Sequence, residues 1–237
     1  MVETVIFWTG ICNVKNICFQ QTNKLEYTEL SIQKQIDKLW LDHQKNYPDD
    51  YDGQLLFLRH FEHEESLDSS ESFLFLNVSF MSYSTHIGLN KLKIPVKKFG
   101  VLGNQIAIFD ESEKYILVGK RKTNQLYAPG LLTLPGGMFE SNDLIKQNFL
   151  RELYEEVDIS IKDPKIIALL SDHTNRSSIF LVKAVLNQKF DPNQIFPDKE
   201  HEFENGLFWL PISELQAINS YNLMEGLTYF QSINSYH

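Results

Sequence analysis

Cysteine is nearly absent from this 237-residue chain: Cys12 and Cys18 are the whole supply. Their spacing fits no zinc-ligand or redox pattern, which excludes a disulfide framework and a thiolate metal centre and leaves two buried thiols as the expectation. Positive charge is scarce as well. The 22 Lys and Arg face 31 Asp and Glu, a net charge of -9, so a long nucleic-acid duplex is a poor partner, and a small anion is attractive only where a bound cation supplies the pull. Long hydrophobic runs are missing too. The apolar stretch "VIFWTGI" follows Glu3, has no basic flank and is too short to span a bilayer. The expectation is a cytoplasmic protein with no membrane partner. No internal repeat or low-complexity tract is evident.

What is present is a 43% hydrophobic chain, long enough for one or two domains. Residues 2–19 read as one or two strands, with Thr9-Gly10 as a turn. Ile32, Ile36, Leu39, Trp40 and His43 recur at helical spacing, up to the turn-rich "NYPDDYDG". "QLLFLRHF" and "SFLFLNVSFMSYS" then predict an antiparallel hairpin with an acidic tip. The lysines of "KLKIPVKK" mark either a basic patch or a solvated linker. This divides the chain into a smaller N-terminal α+β part, 1–94, and an α/β domain, 95–237. In the second part the strand-like runs are "GNQIAIFD", "KYILVGKRK", "LLTLPGG", "KIIALL", "SSIFLVKAVL" and "GLFWL", with helices at "PISELQAI" and "YNLMEGLTYFQSI". The order is mixed and lacks the alternation of a doubly wound sheet.

One helical segment stands out. In "RELYEEVD" the carboxylates of Glu152, Glu155 and Glu156 share one face, while Phe149, Leu150, Leu153, Tyr154 and Val157 form the opposite, apolar arc. Like charges at these spacings cost roughly 0.2–0.5 kcal/mol per pair. Ahead of the helix, Pro135, Gly136 and Gly137 form a turn able to expose backbone carbonyls, and Ser141 or Asn142 can cap the helix with Asp143 in or beside its first turn. A loop carbonyl facing three carboxylates is an oxygen-only cluster suited to Mg2+ or Mn2+. A cation among the glutamates turns their repulsion into attraction.

These residues resemble the signature of the Nudix hydrolases, G-x5-E-x7-R-E-U-x-E-E-x-G-U with U bulky and apolar. Gly137, Arg151, Glu152, Leu153, Glu155, Glu156 and Ile159 match at the required spacing; Asp143 stands in place of Glu and Asp158 in place of Gly. The resemblance implies an α/β/α sandwich around a mixed sheet and hydrolysis of a nucleoside diphosphate derivative, with water attacking phosphorus. It implies metal ligation by Glu152, Glu155, Glu156 and the Gly136 carbonyl, with Arg151 orienting the glutamates; Arg151, Glu152 and Glu155 form the catalytic set. Arg151 lies beside Glu155 on the helix, and its fork suits carboxylates.

Among Glu200, Glu202 and Glu204, which precede the late strand where family members place a further acid, Glu202 is the choice. Lys120, Arg121 and Lys122 follow the "YILVG" run and can meet a diphosphate, or serve as solvated loop cations. "YDGQLLFLR", "MSYSTHIGLN" and "APGLLTLPGG" resemble in order the UDP-glucose diphosphatase branch of the family, which implies UDP-sugar substrates. Tyr83 is then a substrate contact, and Asn90 a second; a structural turn role is the alternative for both. Other readings are ADP-ribose or dinucleotide hydrolysis, cap removal, which the acidic balance disfavours, and a silent nucleotide-binding module.

Overall fold

Residues 4–22, 29–48, 50–65, 72–94, 99–125, 128–140, 159–172, 177–197 and 202–234 are described in a computed structural model of the protein. The front segment opens with β1 (Thr4–Asn13) and β2 (Ile17–Gln21), joined by a 3-10 turn at Val14–Asn16 whose cap, Asn13, accepts a hydrogen bond from the Lys15 N–H. Thr9-Gly10 is not a turn. β1 runs through it with register shifts between Ile6 and Trp8 and between Thr9 and Cys12, an irregularity that twists a strand without ending it. A Cβ on Gly10 would lie 2.6 Å from the Trp8 ring, so glycine serves close approach here.

Helix α1 (Leu30–Asn46) follows the expected stripe and buries Ile36 and His43. β3 (Gln54–Glu65) and β4 (Ser72–Ser82) form the expected antiparallel hairpin; its acidic tip falls largely outside the described residues. β4 stops short of the apolar pattern because α2 (Tyr83–Lys91) begins there. Ser82 accepts from Thr85 N–H, and Asp52 accepts from Ser84 N–H and Oγ–H, both at 2.8 Å. Polar caps satisfy the first-turn donors and outweigh strand continuation.

The rest of the chain supplies β5 (Val101–Phe109), β6 (Tyr115–Arg121), β7 (Leu132–Thr133), β8 (Ile161–Asp172), β9 (Ser177–Leu186), β10 (Ile195–Phe196) and β11 (Phe203–Pro211). Two helices follow, α3 (Ile212–Leu215) and α4 (Glu225–Asn234), both shorter than their sequence pattern suggested. The β5–β6 turn closes on the buried Asp110, which accepts from the N–H groups of Lys114 (2.7 Å), Tyr115 (2.8 Å) and Ser112 (3.0 Å) and from the Ser112 hydroxyl.

All these strands join one 11-stranded mixed sheet with the path β1-β8-β9-β5-β3-β4-β2; β6, attached to β5, carries β7 on one side and β11 with β10 on the other. The β5–β9 and β2–β4 ladders are parallel. The sheet passes from front segment to rear without a break, through β1 on β8 and β3 on β5. Its path also begins and ends on neighbouring chain, since β1 and β2 are separated by one short turn, so the sheet curls round. A core from both parts of the chain packs along it, including Trp8, Cys12, Leu58 and Leu76 with Leu102, Ile106, Phe139 and Phe180. Outside, Leu227 and Phe230 of α4 join a cluster with Ala107, Val118 and Leu181, while Ile36 of α1 and Leu89 of α2 join Leu55, Phe57 and Val101. This is the mixed α/β architecture the sequence implied.

Cys12 is buried as expected, whereas Cys18 is exposed. Ile17 and Phe19 turn toward the core from β2, and strand alternation sends Cys18 outward. Among the described residues, no helix is long and apolar enough to cross a membrane.

Candidate functional site

β3 and β5 pair as a ladder at Phe57–Val101, and residues 135–140 are held between them on one side of that contact. The Pro135 carbonyl accepts from Ile106 N–H (2.8 Å), the Gly137 carbonyl from Asn104 N–H (2.9 Å), and Phe139 N–H donates to the Leu102 carbonyl (2.9 Å). The Phe139 carbonyl in turn accepts from Leu56 N–H (2.8 Å). The Pro-Gly-Gly turn is thus stitched to β5 and its continuation to β3.

Gly136 has φ +152, and a Cβ there would lie 2.2 Å from the Asn104 carbonyl oxygen. Only glycine fits this conformation in this space. Pro135 and Phe139 are buried, while Gly136 and Gly137 keep partial solvent access. Asn104, itself 2% exposed, accepts from Gly137 N–H at its Oδ1 (3.2 Å). A glycine cradle that brings bare backbone to the surface supplies hard oxygen donors, the chemistry Mg2+ and Mn2+ prefer.

Arg151, Glu152, Glu155 and Glu156, with Asp143 and Asp158, lie outside the described residues. Among the described residues no group of three or more His, Cys, Asp or Glu could hold a metal. The chain on either side of the acidic segment is fixed. Glu140 bridges to Leu55 and accepts from the Tyr51 hydroxyl at 2.6 Å; Ile159, the last apolar residue of the signature, is 2% exposed in the main core.

Two of the candidate residues meet directly. Arg121, at the end of β6, donates to Glu202 at 3.0 Å, and the Glu202 carbonyl accepts from Lys122 N–H at 2.9 Å. Lys120 pairs with Glu204 at 2.8 Å. The β6–β11 register sets both pairs, with Phe203 opposite Arg121 and an irregularity before Leu207. The Arg121–Glu202 pair, with side chains 13% and 29% exposed, is better sheltered from water than Lys120–Glu204 at 51% and 32%, so it resists screening more.

Tyr83 stands elsewhere, at the start of α2. Its N–H donates to the Gly53 carbonyl (2.8 Å), and its ring meets Trp40 (5.9 Å) and His43 (6.3 Å) edge-on. Trp40, His43 and Tyr47 stack in sequence, with centroids 5.2 and 4.7 Å apart, and His43 Nε2 lies 2.7 Å from Asp50. From the end of this stack the Tyr47 hydroxyl donates to the Asn124 carbonyl (3.1 Å), in the loop beyond Arg121. Front-segment tyrosines therefore touch both the loop after β6 and the exit of the glycine turn.

Sequence reasoning missed Tyr47, Tyr51 and Asn104. Asn104 left a signal, because Asn104-Gln105 interrupts an apolar strand and a buried amide requires partners. Tyr47 and Tyr51 left none; their contacts lie 77 and 89 residues away.

The family model of the NUDIX domain matches residues 104–227. No curated protein matches the chain. Among solved structures, the NUDIX domain of NrtR from Shewanella oneidensis, complexed with ADP ribose, is 16% identical and aligns over 62% of this chain and 96% of its own, with a TM-score of 0.44. A MutT NUDIX hydrolase from Burkholderia pseudomallei is 18% identical over 55% of this chain and 95% of its own (TM-score 0.42). The MutT protein from Methanosarcina mazei Go1 is 16% identical over 59% and 98% (TM-score 0.42).

Proposed function

The chain belongs to the Nudix family as a Nudix-type pyrophosphohydrolase, and we propose that it cleaves the diphosphate linkage of a UDP-sugar to UMP and a sugar 1-phosphate. The observation that carries the hydrolytic reading is the glycine cradle at Gly136–Gly137, followed in sequence by the Arg151-Glu152-x-x-Glu155-Glu156 pattern. Glu152, Glu155, Glu156 and the Gly136 carbonyl are the proposed ligands of Mg2+ or Mn2+, which when bound supplies charge neutralisation for the phosphate oxygens. Arg151 orients the glutamates. A diphosphate arriving at Arg121 competes with Glu202 for the guanidinium, and its capture leaves the Glu202 carboxylate able to accept a proton from water. Lys120, next in β6, alternates to the opposite face of the strand and pairs there with Glu204, which leaves Arg121 as the cation proposed to meet the diphosphate.

The UDP-sugar assignment is supported by the way the front motifs meet. Asp52 and Gly53 of "YDGQLLFLR" bond to Ser84 and Tyr83 of "MSYSTHIGLN", and the adjoining Tyr51 reaches Glu140, three residues beyond the second glycine of "APGLLTLPGG". We assign Tyr83 and this front segment to the wall that selects the substrate. The test is a screen of UDP-sugars, other nucleoside diphosphate sugars, ADP-ribose and capped RNA with Mg2+, with and without excess chelator, identifying the phosphate products. UMP and sugar 1-phosphate released only when metal is available is the expected outcome. Preference for ADP-ribose or cap would replace the substrate assignment, and turnover undiminished in chelator would remove the metal from the reaction.

A further inference from the structure

We propose that Asn104 is the positioning residue that aims the Gly136 carbonyl at the metal; the inference rests on the proposed ligand role of that carbonyl. Glycine is the residue least able to hold its own peptide planes in one orientation, and Gly136 is followed by a second glycine. Something else must fix the 136–137 peptide. Asn104 meets the turn through three of its groups: its side-chain Oδ1 accepts from Gly137 N–H (3.2 Å), its N–H donates to the Gly137 carbonyl (2.9 Å), and its carbonyl oxygen fills the place of a Cβ on Gly136. The two backbone contacts belong to β5 and persist whatever side chain stands at 104. Of the contacts with the turn, the amide oxygen's is the one that depends on asparagine.

Its effect follows from peptide geometry. The described chain holds no cis peptide bond, and in a trans peptide the N–H and the preceding C=O point to opposite sides of one rigid plane. Holding Gly137 N–H on Asn104 Oδ1 therefore turns the Gly136 oxygen away from the Asn104 side chain. Without that bond the plane is free to rotate between two glycines, and the oxygen loses its fixed direction. Asn104 sits in a strand whose nine residues are all buried, so its amide is a rigid reference that water does not replace. Groups of this kind behind a metal ligand typically affect affinity about 10–100-fold.

The experiment is Mn2+ binding to the full chain, without substrate, followed by electron paramagnetic resonance in wild type, Asn104→Leu and Asn104→Asp. Leucine keeps the volume and removes the acceptor; aspartate keeps an acceptor oxygen. Expected is a Mn2+ Kd raised about 10-fold or more by Asn104→Leu and restored to within about threefold of wild type by Asn104→Asp, a rescue that a general packing defect would not show. A folded Asn104→Leu protein that binds Mn2+ as wild type does overturns the proposal while leaving the proposed metal site intact. Wild-type protein that binds no Mn2+ overturns both. Independently of whether the variants fold, the Gly137 amide of 15N-glycine-labelled, metal-free wild type should exchange slowly with deuterium; exchange at the rate of an open loop would show that the bond to Asn104 does not hold the turn.

Discussion

At the scale of single residues, a carboxylate's neighbours decide whether its charge costs or contributes. Burial works against ionisation of Asp110, yet the Ser112 hydroxyl and the N–H groups of Tyr115, Ser112 and Lys114 hold its carboxyl below the ordinary 3.8. A depressed carboxyl stabilises the fold above its unfolded value and loses that contribution as pH falls through the folded one. Asp110→Ala is therefore expected to cost about 1.5–3 kcal/mol in urea unfolding at pH 7, with the gap to wild type narrowing below a pH of about 3.8. Equal stabilities at pH 7 would show that the turn does not depend on the charge. Glu155 and Glu156, outside the described residues, are proposed as the opposite case, carboxylates brought together by the helical spacing of the sequence. Glu155→Gln and Glu156→Gln should each lower turnover roughly 100-fold or more while leaving the melting temperature equal or slightly higher, because at the helical spacing proposed from the sequence relief of repulsion is stabilising. Variants of normal rate would make these glutamates ordinary surface residues.

At the scale of elements, legibility followed the range of the forces involved. α1 and the β3–β4 hairpin were readable because their apolar period is local, and Ile36 and His43 are buried where the stripe places them. α2 was not, since the cap from Asp52 comes 32 residues upstream of Ser84 and the preceding apolar run reads as strand. The glycine turn was legible from Pro135-Gly136-Gly137 alone, whereas its attachment to β5 depends on which strand lies alongside. Arg121 was picked out by its charge and Glu202 by the resemblance to the family, but that they face one another follows from the β6–β11 register. Tyr47 and Tyr51 show how a loop can matter through single bonds at its ends. Removing both hydroxyls, Tyr47→Phe with Tyr51→Phe, deletes two hydrogen bonds of about 1 kcal/mol each and should raise KM by roughly 3–10-fold with kcat little changed. A wild-type KM would mean that the front segment touches these loops without shaping the site.

At the scale of the whole molecule, the front segment is a structural member of the sheet. Starting the chain near Val96 removes β1 to β4 and with them Trp8, Cys12, Leu58, Leu74, Leu76 and Val78 from the main core, exposing Leu102, Ile106 and Phe180 to water. Burial of one such side chain contributes about 1.5–3 kcal/mol, so the shortened protein is expected to be insoluble, or to lack the near-ultraviolet circular dichroism of packed aromatics. A soluble, folded product hydrolysing the same substrates in the same order would make the segment dispensable for fold and recognition alike.

The curl of the sheet also sets a clock. β1 is synthesised before its ladder partner β8, which follows roughly 160 residues later, about 8–30 s at the usual pace of translation. Until then β1 lacks its ladder partner, although Trp8 and Cys12 can already meet Leu58 and Leu76 of β3 and β4, and the pairing that completes the curl spans most of the chain. Contacts of such long sequence separation make slow folding steps. The interval between the making of β1 and the arrival of β8 is therefore a period in which the incomplete sheet is open to misassembly.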